Sequence, residues 1–320
     1  MSTKTGNISL PYITKKLVPF SLLFLLWVFL TFLLSAEPIR AGEIRYPVWA
    51  GSFYPSDRDA LRENIKQLTA QVTPPATALS NRKLKALILP HAGFIYSGLT
   101  TAHASLVLHE GQFQKIILLG PDHRIGFTNG SISNMAGYRT PLGEIPIHHA
   151  ASQLRMDPQF SRESAPSDQS EHSLEVVLPF LQYYLGRFEL IPIVLGPSNP
   201  AEISNAIAPH LDTDTRFVVS SDLSHYLPYK EAIEKDRETI NRILNLDENK
   251  LIPGENMACG ICALRTLINL ARRNSWHPEL LHYSNSGDTA GSRDHVVGYT
   301  AIAFFADRNN HAETDHDPAD

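Results

Sequence analysis

The chain has 320 residues, of which 43% are hydrophobic, and its 28 Lys and Arg against 33 Asp and Glu give a formal net charge of -5. A chain of this size can bury one large α/β core or two smaller ones. The slightly negative charge, with no basic cluster interleaved with aromatic residues, excludes nucleic acid as an expected partner.

The N-terminal region differs in kind from the rest. Lys15 and Lys16 precede an apolar run over residues 17–36, LVPFSLLFLLWVFLTFLLSA, which is about long enough to cross a bilayer as a helix. Cleavage after Ala36 or Ala41 would leave a large residue two positions earlier, which favours an uncleaved anchor over a signal peptide. The positive-inside bias then predicts a cytoplasmic N-terminus and an exported body, periplasmic or otherwise extracytoplasmic, or secreted if the segment is cleaved.

Three regions are therefore predicted. Residues 1–42 form a cytoplasmic segment with a transmembrane anchor or signal sequence, residues 43–307 form the folded domain, and residues 308–320 form an acidic, disordered tail.

Apolar runs alternate with amphipathic segments through the folded domain. Strands are predicted for LKALILP, KIILLG, ELIPIVLG, RFVVSSD and VVGYTAIAFF, and an edge hairpin or loop for YRTPLGEIPI. Helices are predicted for DRDALRENIKQLTAQV, TTAHASLVL, EHSLEVVLPFLQYYL with a kink at Pro179, KEAIEKDRETINRILN and CGICALRTLINLARR. The alternation predicts an open, largely parallel α/β sheet.

Three of these strands end in side chains that suit chemistry. The first ends at His91, the next at Asp122 and His123, and a later one at Asp222 and His225. Ligands of such sheets bind outside the carboxyl ends of the strands, so these side chains are expected to share one crevice.

Neutral imidazoles bind first-row metals, and a metal site with an open position usually needs three protein ligands. His91 and His123 therefore need a partner, for which the candidates are Cys259, Asp122, Asp222, His225 and His172. Cys259 is attractive because it precedes a helix, whose N-terminus would favour the thiolate. The alternative is that Cys259 and Cys262 form a thiol–disulfide exchange pair, or that Cys259 is a small buried hydrophobe.

Asp222 and His225 form the best acid–base pair, because a carboxylate orients an imidazole and raises its basicity. Asp122, Glu171 and His172 are further candidates for the pocket. A serine hydrolase is disfavoured, since the sequence has no GxSxG motif.

Seven ordered motifs carry a resemblance to a known family: AGSFYP, LPHAGFIYSG, GPDH, YRTPLG, EHSLEVVLPFL, VVSSDLSHY and CG, over residues 50–305. They resemble the Memo family, also called AmmeMemoRadiSam system protein B, which is similar in fold to class III extradiol dioxygenases. The resemblance implies a three-layer α/β/α sandwich with a mostly parallel central sheet. It also implies metal ligation by His91, His123 and Cys259, with Asp222 and His225 as acid–base neighbours.

The predicted function is a metal-binding, dioxygenase-like oxidoreductase that uses iron or copper rather than zinc and acts on a small molecule or peptide. One alternative is a non-catalytic module that binds such a ligand in the same crevice. The other is a zinc-dependent hydrolase, although the chain has no HExxH motif.

Overall fold

The computed structural model describes residues 42–74, 79, 82–161, 165–254 and 258–306. These residues belong to one compact unit that begins at Gly42. The predicted anchor segment and the predicted acidic tail lie outside the described residues.

The strands form one large sheet and one small sheet. In chain order they are β1 (Ile44–Arg45), β2 (Leu84–Leu89), β3 (Lys115–Pro121), β4 (Gly130–Ile132), β5 (Gly137–Thr140), β6 (Gly143–Pro146), β7 (Phe160–Ser161), β8 (Glu189–Leu195), β9 (Thr215–Ser220), β10 (His225–Leu227), β11 (His277–Asn285) and β12 (Val296–Phe305). The large sheet has the order β10-β12-β2-β9-β3-β8-β4-β7, with β11 also paired to β12, and the small sheet has the order β1-β5-β6.

The centre of the large sheet is parallel. Strands β2, β9, β3 and β8 are parallel neighbours in that order, and all four were predicted from continuous apolar runs. On the two sides, however, β12 runs antiparallel to β2 and β4 runs antiparallel to β8. The prediction of a mostly parallel sheet is therefore corrected to a mixed sheet with a parallel centre.

Helices cover both faces of the large sheet. They are α1 (Arg58–Thr69), α2 (Phe94–Ala102), α3 (Ala150–Leu154), α4 (His172–Glu175), α5 (Leu178–Leu185), α6 (Pro200–Ile207), α7 (Tyr229–Leu244) and α8 (Ile261–Arg273). The segment predicted as one kinked helix is two helices, because Pro179 lies in the first turn of α5, where its missing N–H breaks no hydrogen bond.

Alternate residues of the central strands point to two separate apolar cores. On β2, Leu89 packs in a cluster that includes Leu61 of α1, whereas Ile88 packs in a cluster that includes Leu264 of α8. Because successive side chains of a strand point to opposite faces, the sheet is the middle layer of three.

The prediction of a transmembrane helix is corrected. Within the part of the chain that the structure describes, no helix is long and apolar enough to cross a membrane. The longest described helix, α7, has 16 residues and alternates charged with apolar residues, as a surface helix does. The prediction depended on the apolar length of residues 17–36, which are not among the described residues. The fold class is a mixed α/β sandwich, and the membrane attachment and exported location inferred from that segment are withdrawn.

Two stacked imidazoles join α2 and its following turn to β11. The rings of His103 and His282 lie 4.0 Å apart with an interplanar angle of 14°. Nδ1 of His282 lies 3.0 Å from Oγ1 of Thr100. Burial, followed by the neighbouring His103, lowers the pKa of His282 to about 4.

We expect the free energy of unfolding to decrease as the pH falls from about 6.5 towards 4, because the unfolded chain protonates His282 in this range and the folded protein does not. In His282→Phe, the pH slope of stability should be smaller by up to about one proton per molecule. Urea denaturation at several pH values measures this slope. His109→Ala, at an exposed position, is the control and should keep the full slope. Equal slopes for His282→Phe and the unmodified chain would contradict the prediction.

Candidate metal centre

The parallel strands at the centre of the sheet bring the predicted residues to one edge. His91 lies two residues after the end of β2, His123 two residues after β3, and Asp222 two residues after β9. Since β2, β9 and β3 are parallel neighbours, these three residues follow adjacent carboxyl ends. The structure therefore brings these three residues to one edge of the sheet.

Three imidazoles form a cluster at this edge. The ring centroids of His91 and His123 are 5.3 Å apart, those of His91 and His172 5.2 Å, and those of His123 and His172 4.5 Å. Each ring offers a nitrogen, and the three nitrogens lie within 4.8 Å of one another. The cluster could therefore hold a metal ion, since nitrogen donors bind first-row metals at about 2.0–2.1 Å.

His91 is held in a single tautomer by its neighbours. Its side chain is buried, and its Nδ1 lies 2.8 Å from Oγ of Ser220, which donates its own hydrogen to the carbonyl of Ser173 at 2.5 Å. A hydroxyl has one hydrogen, so Ser220 accepts from Nδ1–H of His91, and Nε2 keeps its lone pair. Burial, and then the neighbouring His172 and His123, lower the pKa of His91 well below its usual range, which favours the neutral form that ligates metal.

Glu171 lies behind the other two imidazoles. It precedes α4, whose first residue is His172, and its Oε1 lies 2.9 Å from Nδ1 of His123 and 3.2 Å from Nδ1 of His172. Burial alone would raise the pKa of Glu171, but the contacts from the two imidazoles and two backbone N–H groups outweigh it, so the pKa is lowered. Glu171 is therefore a buried, ionised carboxylate.

Cys259 contacts this cluster at His91. Its Sγ lies 3.3 Å from Nε2 of His91 and accepts a hydrogen bond of 3.2 Å from the backbone N–H of Asp222. Burial, and then the charge of Asp222, raise the pKa of the Cys259 thiol. The expectation that the helix N-terminus favours the thiolate is therefore wrong for the metal-free protein, because burial dominates. Cys259 and Cys262 are both free thiols.

Asp222 and His225 line the same cavity as the three histidines. Oδ1 of Asp222 accepts the backbone N–H of His91 at 2.8 Å, and burial raises the pKa of this carboxyl group. The cavity has a volume of about 570 Å³, and its aromatic walls come from Phe53, Tyr96, Tyr226 and Tyr299. Tyr226 has a positive φ of 58°, a backbone conformation that non-glycine residues adopt mainly at constrained sites.

The remaining predicted pocket residues have different positions. Asp122 is not among the residues that line the cavity. Its carboxylate accepts the backbone N–H groups of Arg124, Ile125 and Gly126, and so it shapes the loop after β3. His172 lines the cavity, whereas Glu171 supports the imidazoles from behind.

Sequence reasoning did not identify Ser220 or the loop of residues 286–295 as parts of the site. Ser220 closes the hydrogen-bond chain behind His91, and Ser286, Gly291, Ser292 and His295 contribute to the cavity wall. The Gly- and Ser-rich composition of that loop, SGDTAGSRDH, is the only signal in the sequence that pointed to it.

A larger cleft of about 960 Å³ lies at the other end of the strands, where β3 and β8 begin. Two ion pairs lie in its lining, Lys115 with Asp212 at 2.7 Å and His148 with Glu189 at 3.6 Å. None of the predicted site residues lines this cleft. The three clustered histidines line the smaller cavity instead.

The fold and the cluster together define an α/β sandwich protein with a three-histidine site, able to hold a metal ion, at the carboxyl ends of its parallel strands. The model of the Memo-like protein family matches residues 45–303. The chain belongs to the Memo family, as its ordered motifs predicted.

Curated relatives give the same result. A MEMO1 family protein of Sulfurisphaera tokodaii is 35% identical over 284 residues, covering 82% of this chain and 99% of the relative. MEMO1 family proteins of Sulfolobus acidocaldarius and Thermoplasma volcanium are 34% and 35% identical, cover 82% and 81% of this chain, and are themselves covered over 99% and 97% of their length.

Proposed function

We propose that this protein binds one redox-active metal ion, iron or copper, and acts as a metal-dependent oxidoreductase on a small-molecule or peptide substrate. The observation that carries the proposal is the convergence of one nitrogen each from His91, His123 and His172 within 4.8 Å. In this proposal the three imidazoles are the ligands, and Cys259 is a fourth donor beside His91.

The donor set fits a metal ion of this kind. His91 is neutral and presents Nε2, and Sγ of Cys259 lies 3.3 Å from that atom. Nδ1 of His172 is buried and lies 3.2 Å from Oε1 of Glu171 without forming a hydrogen bond of good geometry. A bound metal would supply one-electron chemistry and would favour the thiolate of Cys259.

The chain's own residues would bind and orient the substrate and move protons. Phe53, Tyr96 and Tyr226 would enclose an apolar part of the substrate in the cavity. Asp222 holds the backbone of His91 in place. His225, at the start of β10 and in the cavity wall, would accept or donate a proton at a ring nitrogen.

Metal analysis and oxygen uptake test this function. The purified full chain, loaded with Fe(II) or Cu(I) and supplied with a reductant such as ascorbate, should bind about one metal ion at the single imidazole cluster of the described residues and consume oxygen. His225→Asn should keep the metal and lower the rate by on the order of 100-fold, the lower end of what a general acid–base group contributes. A protein that retains only zinc and consumes no oxygen would contradict the proposal.

A further inference from the structure

Glu171 is a buried carboxylate that contacts two of the three clustered imidazoles. Its side chain has no exposed surface, and its two oxygens are shared among donors from two different elements. Such a group must be paired, because an unpaired buried charge is very costly.

His123 is bound to Glu171 at two points. Its backbone N–H donates to Oε2 of Glu171 at 2.7 Å, and its Nδ1 lies 2.9 Å from Oε1. Both oxygens of Glu171 accept backbone N–H groups, Oε2 from His123 and Oε1 from Ser173, so Glu171 is the acceptor in these contacts. Nδ1 of His123 therefore carries the hydrogen and Nε2 keeps the lone pair. Glu171 therefore fixes both the position of His123 and its tautomer.

His172 is held by the same carboxylate in another way. Oε1 of Glu171 also accepts the backbone N–H of Ser173 at 2.9 Å, so Glu171 caps the N-terminus of α4, the helix that begins with His172. Nδ1 of His172 lies 3.2 Å from this oxygen, at the distance of an ion pair. Glu171 thus contacts both the first turn of α4 and the ring of His172.

We infer that Glu171 is a positioning residue that joins His123 and His172 into one preformed metal cradle, by fixing the tautomer of His123 and the helix start that carries His172. This inference rests on the proposed function for its metal, but the tautomer of His123 is a property of the metal-free chain. Carboxylates in this position orient ligating histidines and raise their basicity, and their loss typically weakens metal binding by roughly 10- to 100-fold.

The variant that isolates this role is Glu171→Asp in the full chain. Aspartate is a good helix cap and keeps the charge, but its side chain is shorter by one methylene and so withdraws the carboxylate from Nδ1 of His123. The matched control is Glu248→Asp, the same change at a half-buried glutamate whose hydrogen bonds come from Arg265 and Asn269. If Glu171→Asp does not fold, Glu171→Ser replaces it, because serine is also a good helix cap.

Two measurements apply to each protein. The first is the nitrogen-15 spectrum of the histidine side chains in the metal-free chain at neutral pH, which shows which ring nitrogen carries the hydrogen. The second is the dissociation constant for Fe(II), the probe metal. The unmodified chain and Glu248→Asp should show His123 protonated at Nδ1, whereas Glu171→Asp should lose this preference and bind Fe(II) roughly 10- to 100-fold more weakly.

Each outcome has one meaning. An unchanged tautomer and an unchanged affinity in Glu171→Asp would overturn the inference, and so would an equal loss of affinity in Glu248→Asp, which would indicate general loosening of the fold. If the unmodified chain binds no metal while Glu171→Asp still changes the tautomer of His123, the proposed function fails and the positioning of His123 by Glu171 stands.

Discussion

Replacing His91 with alanine is expected to weaken metal binding more than about 100-fold, beyond the loss typical of residues that only support a ligand. His91 is buried, and its Nε2 lies 3.3 Å from Sγ of Cys259, so it connects the imidazole cluster to the thiol. The measurement is metal content after equilibration with a competing chelator, for the unmodified chain and the variant. His109→Ala, at an exposed position, should retain the full metal content.

The same measurement separates the two possible third ligands. We expect His172→Ala to lose the metal as His91→Ala does, because His172 belongs to the group whose nitrogens lie within 4.8 Å of one another. Cys259→Ser should lose less affinity, since Cys259 contacts the cluster only beside His91. The reverse result, with metal retained in His172→Ala and lost in Cys259→Ser, would show that the ligands are His91, His123 and Cys259.

The strand ends could be predicted from the sequence because they depend on local pattern and on one topological rule. Continuous apolar runs identified β2, β3 and β9, and polar side chains directly after them had to meet once those strands were parallel neighbours. His91, His123 and Asp222 were therefore accessible to sequence reasoning, and the structure places them at one edge of the sheet.

Other features depend on contacts between distant segments. Strand β11 has the sequence HPELLHYSN, whose mixture of polar and apolar residues gives no clear period, and its pairing with β12 determines it. The thiol of Cys259 precedes a helix, which suggested a thiolate, but burial and Asp222 raise its pKa instead. Neither the degree of burial nor the neighbour is visible in the local sequence.

The prominence of His172 also came from the tertiary structure. In the sequence it was one of several candidates for a third ligand, because EHS marks only a polar helix start. The structure places it in the cluster through Glu171, which caps the same helix and contacts His123 in the loop after β3. A contact across 48 residues of sequence is therefore what distinguishes His172 from the other candidates.

Glu175→Ala is expected to lower the free energy of unfolding by about 3–5 kcal/mol, because it leaves the buried guanidinium of Arg45 without its charged partner. Arg45 and Glu175 form an ion pair of 2.7 Å with side-chain exposures of 3% and 0%. The other donors to Glu175 are the backbone N–H groups of Val48 and Trp49 and the hydroxyl of Tyr54. Urea denaturation followed by circular dichroism measures the change.

The consequence should extend to the metal cavity. Glu175 holds the segment from Val48 to Tyr54. Within this segment, Phe53 forms part of the cavity wall, and the ring of Trp49 lies 5.6 Å from that of His172.

Two further variants serve as controls. In Glu175→Ala, Arg45 keeps its hydrogen bonds to the carbonyls of Asp168 and Glu171. The double variant Arg45→Met with Glu175→Ala removes the unpaired charge, but it should recover only part of the lost stability, since the three other donors to Glu175 remain unsatisfied. Glu63→Ala removes an exposed ion-pair partner of Lys66 and should leave stability unchanged. A loss below about 1 kcal/mol in Glu175→Ala would mean that water or another acceptor replaces the carboxylate, and that this network does not anchor the segment beside the site.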